Sequence, residues 1–165
     1  MSSSSSGLRC VSCTLWVAVV MFLMPPHVAT AQKQPARETL AQRMVRELVD
    51  RHREQISAME IALMSDKGCA TIAATDPKDV GEKCDADELG PIKTGAPNVE
   101  APTTDDPVFD ITQALHDRSG QLIGAVGMDI VPPPNGDRDV ALARAKALLQ
   151  ELEAQIASAG ALRKR

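Results

Sequence analysis

Asp129 is the acid whose neighbours give it the most scope for chemistry. It closes the run GAVGMDI, with Ala125 and Gly127 at alternate positions before it. In a β-strand, residues two apart share a face. Side-chain volume therefore shrinks from Ile123 through Ala125 to Gly127, which leaves room above the sheet beside the carboxylate. A buried carboxylate must find a cation, a hydrogen-bond donor or a proton, because an unpaired buried charge is too costly to keep. A ligand ammonium would serve, as would a nearby Lys or Arg. The plainer alternative has Asp129 at a strand end, bonded to backbone amides or water before Pro132.

The partner strand follows from the turn. Phe109–His116 and Gln121–Ile130 flank Asp117, Arg118, Ser119 and Gly120, the pattern of two antiparallel strands joined by a tight turn with a left-handed glycine. A three-residue loop ending on Gly120 aligns Asp117 with Gln121, Leu115 with Ile123, Ile111 with Gly127 and Phe109 with Asp129. The candidate ligand-binding set is therefore Asp129, Gly127, Ala125, Phe109 and Ile111. A one-residue change of register would turn the partner strand's side chains to the other face.

Other chemistries find little support. His116 follows Leu115 at a strand end, and no Gly-x-Ser-x-Gly or comparable nucleophile pattern accompanies it. His52 lies at the border of an amphipathic helix, where a half-solvated imidazole is the ordinary outcome. Asp85, Asp87 and Glu88 suggest a calcium loop, but counting from Asp85 puts Gly90 at the sixth position and Ala96, not Glu, at the twelfth. Cys10 and Cys13 are the only Cys-x-x-Cys pair and lack a following His. The expectation is a binding protein rather than an enzyme, with no cofactor and no metal.

Several elements must position the hairpin. Leu40, Met44, Leu48, Val49 and Ile56 recur at helical spacing among charged residues, which predicts an amphipathic N-terminal helix. Ser57–Thr75 reads as a strand, the turn Ser65, Asp66, Lys67, Gly68, and a second strand. The stretch 76–107 is rich in Pro, Gly and acids and reads as a long loop with one short helix near Asp85–Leu89. Cys69 and Cys84 bracket the start of that loop. In an oxidising compartment they would pair and hold the loop against the sheet; the alternative is two unrelated free thiols. After Pro132, Pro133 and Pro134, Asn135 and Asp137 can cap a last helix. Its stripe is Leu142, Ala145, Leu148, Leu149, Leu152 and Ile156, with Gly160 placed to end it.

The chain's start reads as an export signal. Arg9 precedes an apolar run from Val11 to Met24, and Ala29, Thr30 and Ala31 are small residues before Gln32. The run is shorter than the roughly 18 apolar residues a membrane-crossing helix needs, so cleavage after Ala31 is favoured over a retained anchor. The implied segments are 1–31 as signal peptide, 32–131 as sensor domain with its N-terminal helix, and 132–165 as C-terminal helix and basic tail. The whole chain carries 18 Lys and Arg against 22 Asp and Glu, a net charge of −4. Loss of Arg9 with the signal makes the remainder more acidic still. That balance argues against nucleic acid and anionic membrane surfaces as partners. Phe109 would be the sole remaining aromatic ring among Phe, Tyr and Trp, which excludes an aromatic cage or a base-stacking platform.

With these residues in place, the chain resembles the Cache superfamily of PAS-like extracytoplasmic sensor domains. Met64–Thr75 followed by Asp76, Pro77, Val80 and Gly81 is similar to the family's first hairpin and the segment after it. HDRSGQLIGAVGMDI looks like its closing hairpin, and the likeness covers roughly Arg37–Val131. It implies an α+β fold: an antiparallel PAS/Cache-like sheet with a long N-terminal helix, here with an added C-terminal amphipathic helix. It also implies a small-molecule pocket between sheet and long loop, with Asp129 where amino-acid-binding members place the acid that meets the ligand amine. Those members also use Tyr, Trp and Arg, and the chain beyond its signal has no Tyr or Trp. The resulting expectation is a periplasmic or secreted sensor-type domain for a small organic acid or amine, without its own transmembrane or signalling module, acting through a partner protein. The alternative is a module of the same fold that dimerises or docks through its amphipathic helices and uses no pocket.

Overall fold

The computed structural model describes residues 38–165. The expected export signal, its cleavage site, Cys10 and Cys13 lie outside the described residues. Helix α1 (Leu40–Arg51) starts where the Thr39 hydroxyl accepts the Gln42 N–H at 3.2 Å. It buries Ala41, Met44, Val45 and Leu48. The helical pattern read from the sequence overran its end. The helix stops at Arg51, and Ile56, assigned above to its stripe, opens strand β1 (Ile56–Ser65) instead.

Strand β1 pairs with β2 (Gly68–Ala74) across the expected turn, with Ser65 opposite Gly68 and Gly68 at φ 109°. Helix α2 (Ala86–Thr94) follows with a capping box. Asp85 accepts the Asp87 N–H at 2.8 Å, and Glu88 accepts the Asp85 N–H at 2.8 Å. Such caps contribute about 1 kcal/mol, and here the cap accounts for the acids that suggested a calcium loop. The region expected to be mostly loop also contains a strand, β3 (Asn98–Glu100). Strands β4 (Phe109–His116) and β5 (Leu122–Ile130) complete a sheet in the order β2-β1-β5-β4-β3, every neighbour antiparallel.

Helix α3 (Arg138–Glu153) is capped by Asp137, as the sequence indicated, and buries Ala141, Ala145, Leu148 and Leu152. It ends earlier than expected. Ile156 lies past its last turn, still fully buried, and Gly160 belongs to a short further helix, α4 (Ala159–Leu162). α1 and α3 cover one face of the sheet, where Ile61, Leu63, Ile111, Leu115, Val126, Met128 and Ile130 join their buried stripes in a single core. α2 lies on β4 and β5 and leaves only Pro91 buried. Two histidines tie α3 to the rest of the fold: His52 Nε2 meets Glu151 Oε2 at 2.9 Å, and His116 Nδ1 meets Glu153 Oε1 at 3.0 Å.

Cys69 and Cys84 form the disulfide, with Cα atoms 5.3 Å apart. The segment it tethers runs beside β2. Thr71 donates its N–H to Glu82 O at 2.9 Å, Gly81 donates to Thr71 O at 2.9 Å, and Ala70 bridges to Lys83.

Candidate acid-lined cleft

The closing turn has the expected geometry and the strands beyond it do not. Asp117 N–H donates to Gln121 O at 2.9 Å and Gly120 N–H to Asp117 O at 2.8 Å, with Gly120 at φ 83°. A left-handed residue is needed there, and glycine adopts it at no steric cost. The Asp117 carboxylate accepts from Ser119 Oγ at 2.5 Å, Ser119 N at 2.9 Å and Gln121 N at 3.2 Å, which holds its pKa below the usual carboxylate value.

Just past the turn the register shifts. His116 pairs with Leu122, but Leu115 pairs with Gly124, so Ile123 is an extra residue in β5. Every later pair moves by one: Ile111 faces Met128, Phe109 faces Ile130, and Asp110 faces Asp129. Phe109 and Ile111, included above as ligand-binding candidates, instead point into the helix-covered core, where they are 3% and 0% exposed. Ile123 joins the same core. The residues beside Asp129 and Gly127 on β4 are Asp110 and Thr112.

On the face that carries Asp129, the sheet is laid out in three cross-strand rows. Ala58, Asp129 and Asp110 form the first, Glu60, Gly127 and Thr112 the second, and Ala62, Ala125 and Ala114 the third. The alanine row is flat ground on the face that α2 covers, so Ala125 is fully buried and lies outside the wall of the cleft. The first row, with Glu60 and Gly127 of the second, borders open space, while Thr112 is buried outside the wall. The open residues floor a cleft of about 260 Å³ lined by Ala58, Met59, Glu60, Gly127, Asp110 and Asp129, with Thr75, Asp76 and Asp79 from within the loop that the disulfide closes. Thr75 Oγ1 accepts the Met59 N–H at 2.9 Å, which fixes that segment to the edge of β1.

Five carboxylates and no Lys or Arg line this cleft. For Glu60, Asp110 and Asp129, burial is the main cause of a raised proton affinity. The Glu60 carboxyl is pushed up to about 7 by desolvation, then by its hydrogen bond and repulsion with Glu88 and by Asp79, while the Thr71 hydroxyl, 3.4 Å away, pulls it down. Asp110 is pushed up to about 6 by desolvation and then by Asp129, Glu100, Asp87 and Asp106. Asp129 is raised by desolvation and by Asp106. Gly127 makes room for Glu60: a Cβ there would come within 3.1 Å of the Glu60 Cγ and Oε1.

The carboxylates are spread around the cleft. Among the described residues, no group of three or more His, Cys, Asp or Glu is placed to hold a metal ion. The arrangement offers several hydrogen-bond acceptors and a negative field within a half-buried hollow, which suits an organic ammonium. Reading the sequence had picked out Asp129 and Gly127 but passed over Glu60, Asp76, Asp79 and Asp110. Glu60 carried a usable signal, as the one acid in the apolar strand AMEIALM.

No family model and no curated protein matches this chain. Among solved structures, it is similar to the GAF domain of a two-component sensor histidine kinase from Bacillus halodurans. The TM-score is 0.50 at 10% identity, over 69% of this chain and 91% of that one. It is also similar to the GAF domain of a phosphoenolpyruvate-protein phosphotransferase from Acinetobacter, with TM-score 0.47, 12% identity, and 72% and 82% coverage. The periplasmic domain of RsbU from Chlamydia trachomatis aligns at TM-score 0.42 and 10% identity, over 72% of this chain and 40% of that one. The first of these likenesses, together with the five-stranded antiparallel sheet and its helices, gives the chain a GAF-like α+β fold.

Proposed function

We propose that this protein is an exported, Cache-type ligand-binding domain that takes a small organic cation, an amine or polyamine, in the cleft over β1, β5 and β4. The observation that carries this reading is the cleft wall, where Glu60, Asp76, Asp79, Asp110 and Asp129 share one hollow lined by no Lys or Arg, and where only Asp76 has a basic partner, the exposed Lys78 at 3.9 Å. Asp110 and Asp129 are direct cross-strand neighbours, a placement that works against stability. Its compensation is a positively charged ligand. Of the two ligand classes suggested by the sequence, organic acid and amine, the electrostatics favour the amine. The disulfide suits an oxidising compartment, and no helix among the described residues is long and apolar enough to cross a membrane. Output would pass through a partner protein.

A thermal-shift series on the full chain with amines, amino acids and organic acids tests the assignment. Amines should raise the melting temperature, and Asp110→Asn and Asp129→Ala should each remove the rise. Stabilisation by organic acids alone, or by amines equally in both variants, would overturn it. The alternative of a ligand-free module joined through its helices has less support. The apolar stripes of α1 and α3 are already covered by the sheet, and the large hydrophobics left exposed among the described residues are Met64, Val80 and Val140.

A further inference from the structure

α2 is held to the sheet differently from the two longer helices. α1 and α3 each bury four residues, whereas α2 buries only Pro91. Its other ties are polar or covalent. The Asp87 carboxylate accepts from Asn98 Nδ2 at 3.0 Å, and the Cys69–Cys84 bridge fixes the chain one residue before the Asp85 cap. Beyond β3, residues 103–107 are exposed. Beneath α2 lies the row of alanines, a flat surface with little for a helix to interlock with.

Towards β1 this contact sets acid against acid. Glu60 leans over Gly127, where a Cβ would come within 3.1 Å of its Oε1, and its carboxyl shares a hydrogen bond with that of Glu88 on α2. Two carboxyl groups can make such a bond only while one of them holds a proton. Glu88 Oε2 already takes the Asp85 N–H at 2.8 Å, so Glu88 is the acceptor and Glu60 the donor. The surrounding groups give the ionised pair no relief beyond one hydroxyl. Asp79 of the disulfide loop adds to the negative field at Glu60, and only the Thr71 hydroxyl of β2, at 3.4 Å, opposes it. Next to them on the sheet, Asp110 faces Asp129 of β5, Glu100 of β3, Asp87 of α2 and Asp106 of the loop before β4. None of these neighbours is basic.

We propose that α2 is a lid latched by a proton: the protonated Glu60 carboxyl donates to Glu88 and holds the helix on the sheet, and loss of that proton to solvent sets two carboxylates against each other and lifts α2 on its disulfide tether. The opened lid uncovers the alanine row beside Glu60 and Gly127 and so extends the floor of the acid-lined cleft. The direction with pH follows from Glu60, whose carboxyl is pushed up from 4.5 to about 7. Closure is fully held below pH 4.5, weakens as pH rises and is lost above about 7. The lid works without a ligand, so it stands or falls separately from the amine reading of the cleft.

Amide hydrogen exchange of the full chain between about pH 5.5 and 8.5, expressed as protection factors so that the intrinsic pH dependence of exchange is removed, is the test. The Leu89 and Gly95 amides, bonded to Asp85 O and Pro91 O, should lose protection by about tenfold across that range, while amides of α1 and α3 keep theirs. Glu60→Gln retains a neutral donor towards Glu88 and should keep α2 protected throughout. Glu88→Gln suits the capping box equally and offers ionised Glu60 a donor, so it should flatten the profile too, and it decides the matter if Glu60→Gln does not fold. Protection of α2 that is level with pH in the parent chain overturns the proposal. So does a loss that survives in either variant, or one that α1 and α3 share.

Discussion

The two faces of β5 are built from one short run of residues and obey opposite rules. Val126, Met128 and Ile130 enter a core with no polar partner in reach, and each is fully buried. Ala125, Gly127 and Asp129 alternate with them and meet a row of alanines, a glutamate and a second aspartate. One face is stabilised by volume and exclusion of water. The other gives up stability by placing carboxylates side by side, and under the proposed reading a cationic ligand would offset that cost. The contrast shows where substitutions will be felt as loss of fold and where they will be felt as loss of recognition.

The largest effect should come from the core face. Ile111→Ala, at a fully buried position, should cost about 2–5 kcal/mol in chemical denaturation. If Ile111 were instead a cleft residue, the loss would be small and amine stabilisation would disappear with it.

Next in size is the covalent tie. Replacing Cys69 and Cys84 together by Ser should cost about 3 kcal/mol on the chain-entropy estimate for a loop of this length. It should also weaken amine binding, because Asp76 and Asp79 sit on the stretch the bridge helps to hold. An amine response unaltered by the double variant would separate the cleft from the disulfide loop.

The acid face should show the opposite sign. Asp110→Asn removes a like-charge cross-strand pair and should stabilise the unliganded protein at pH 7 by up to about 1 kcal/mol. Glu60 sets a pH signature. Its folded pKa, about 7, lies above the ordinary value of 4.5, so the native state holds the proton more tightly than the unfolded chain. That contribution is fully present below pH 4.5 and is lost as pH rises towards 7. Melting curves of Glu60→Gln against the parent protein should therefore diverge across this window. Amine affinity should rise across the same interval as the carboxylates ionise. Asp117 behaves in reverse: its depressed pKa gives stability that is present above its ordinary value and lost as the turn protonates in acid.

The smallest effect on stability should come from Gly127→Ala. The added methyl meets only the flexible Glu60 side chain, so the fold should change little while the carboxylate is pushed out of place. Amine binding weakened without a matching drop in melting temperature would mark Gly127 as the residue that makes room for Glu60.

What could be read from the sequence was governed by local chemistry. The left-handed glycines at Gly68 and Gly120, the Asp137 cap and the Cys69–Cys84 pairing depend on a few neighbouring residues and on one redox assumption, and each is as expected. The helix ends at Arg51 and Glu153 were overrun because Ile56 and Ile156 continue the apolar period while serving other elements. Strand β3 carried too short a pattern to register.

The cleft divides along the same line. The alternation GAVGMDI determined, without any structure, that Ala125, Gly127 and Asp129 share a face. Only the tertiary structure decided what stands beside them. The extra residue at Ile123 sets β4 one step over, turning Phe109 and Ile111 inward and Asp110 towards Asp129. That bulge gives each of two apolar-rich strands a core-facing side, a balance struck between distant segments and invisible to either alone. Glu60 and Asp76 likewise reach the cleft through strand order and a tethered loop, so the charge that gives the site its character is gathered by folding.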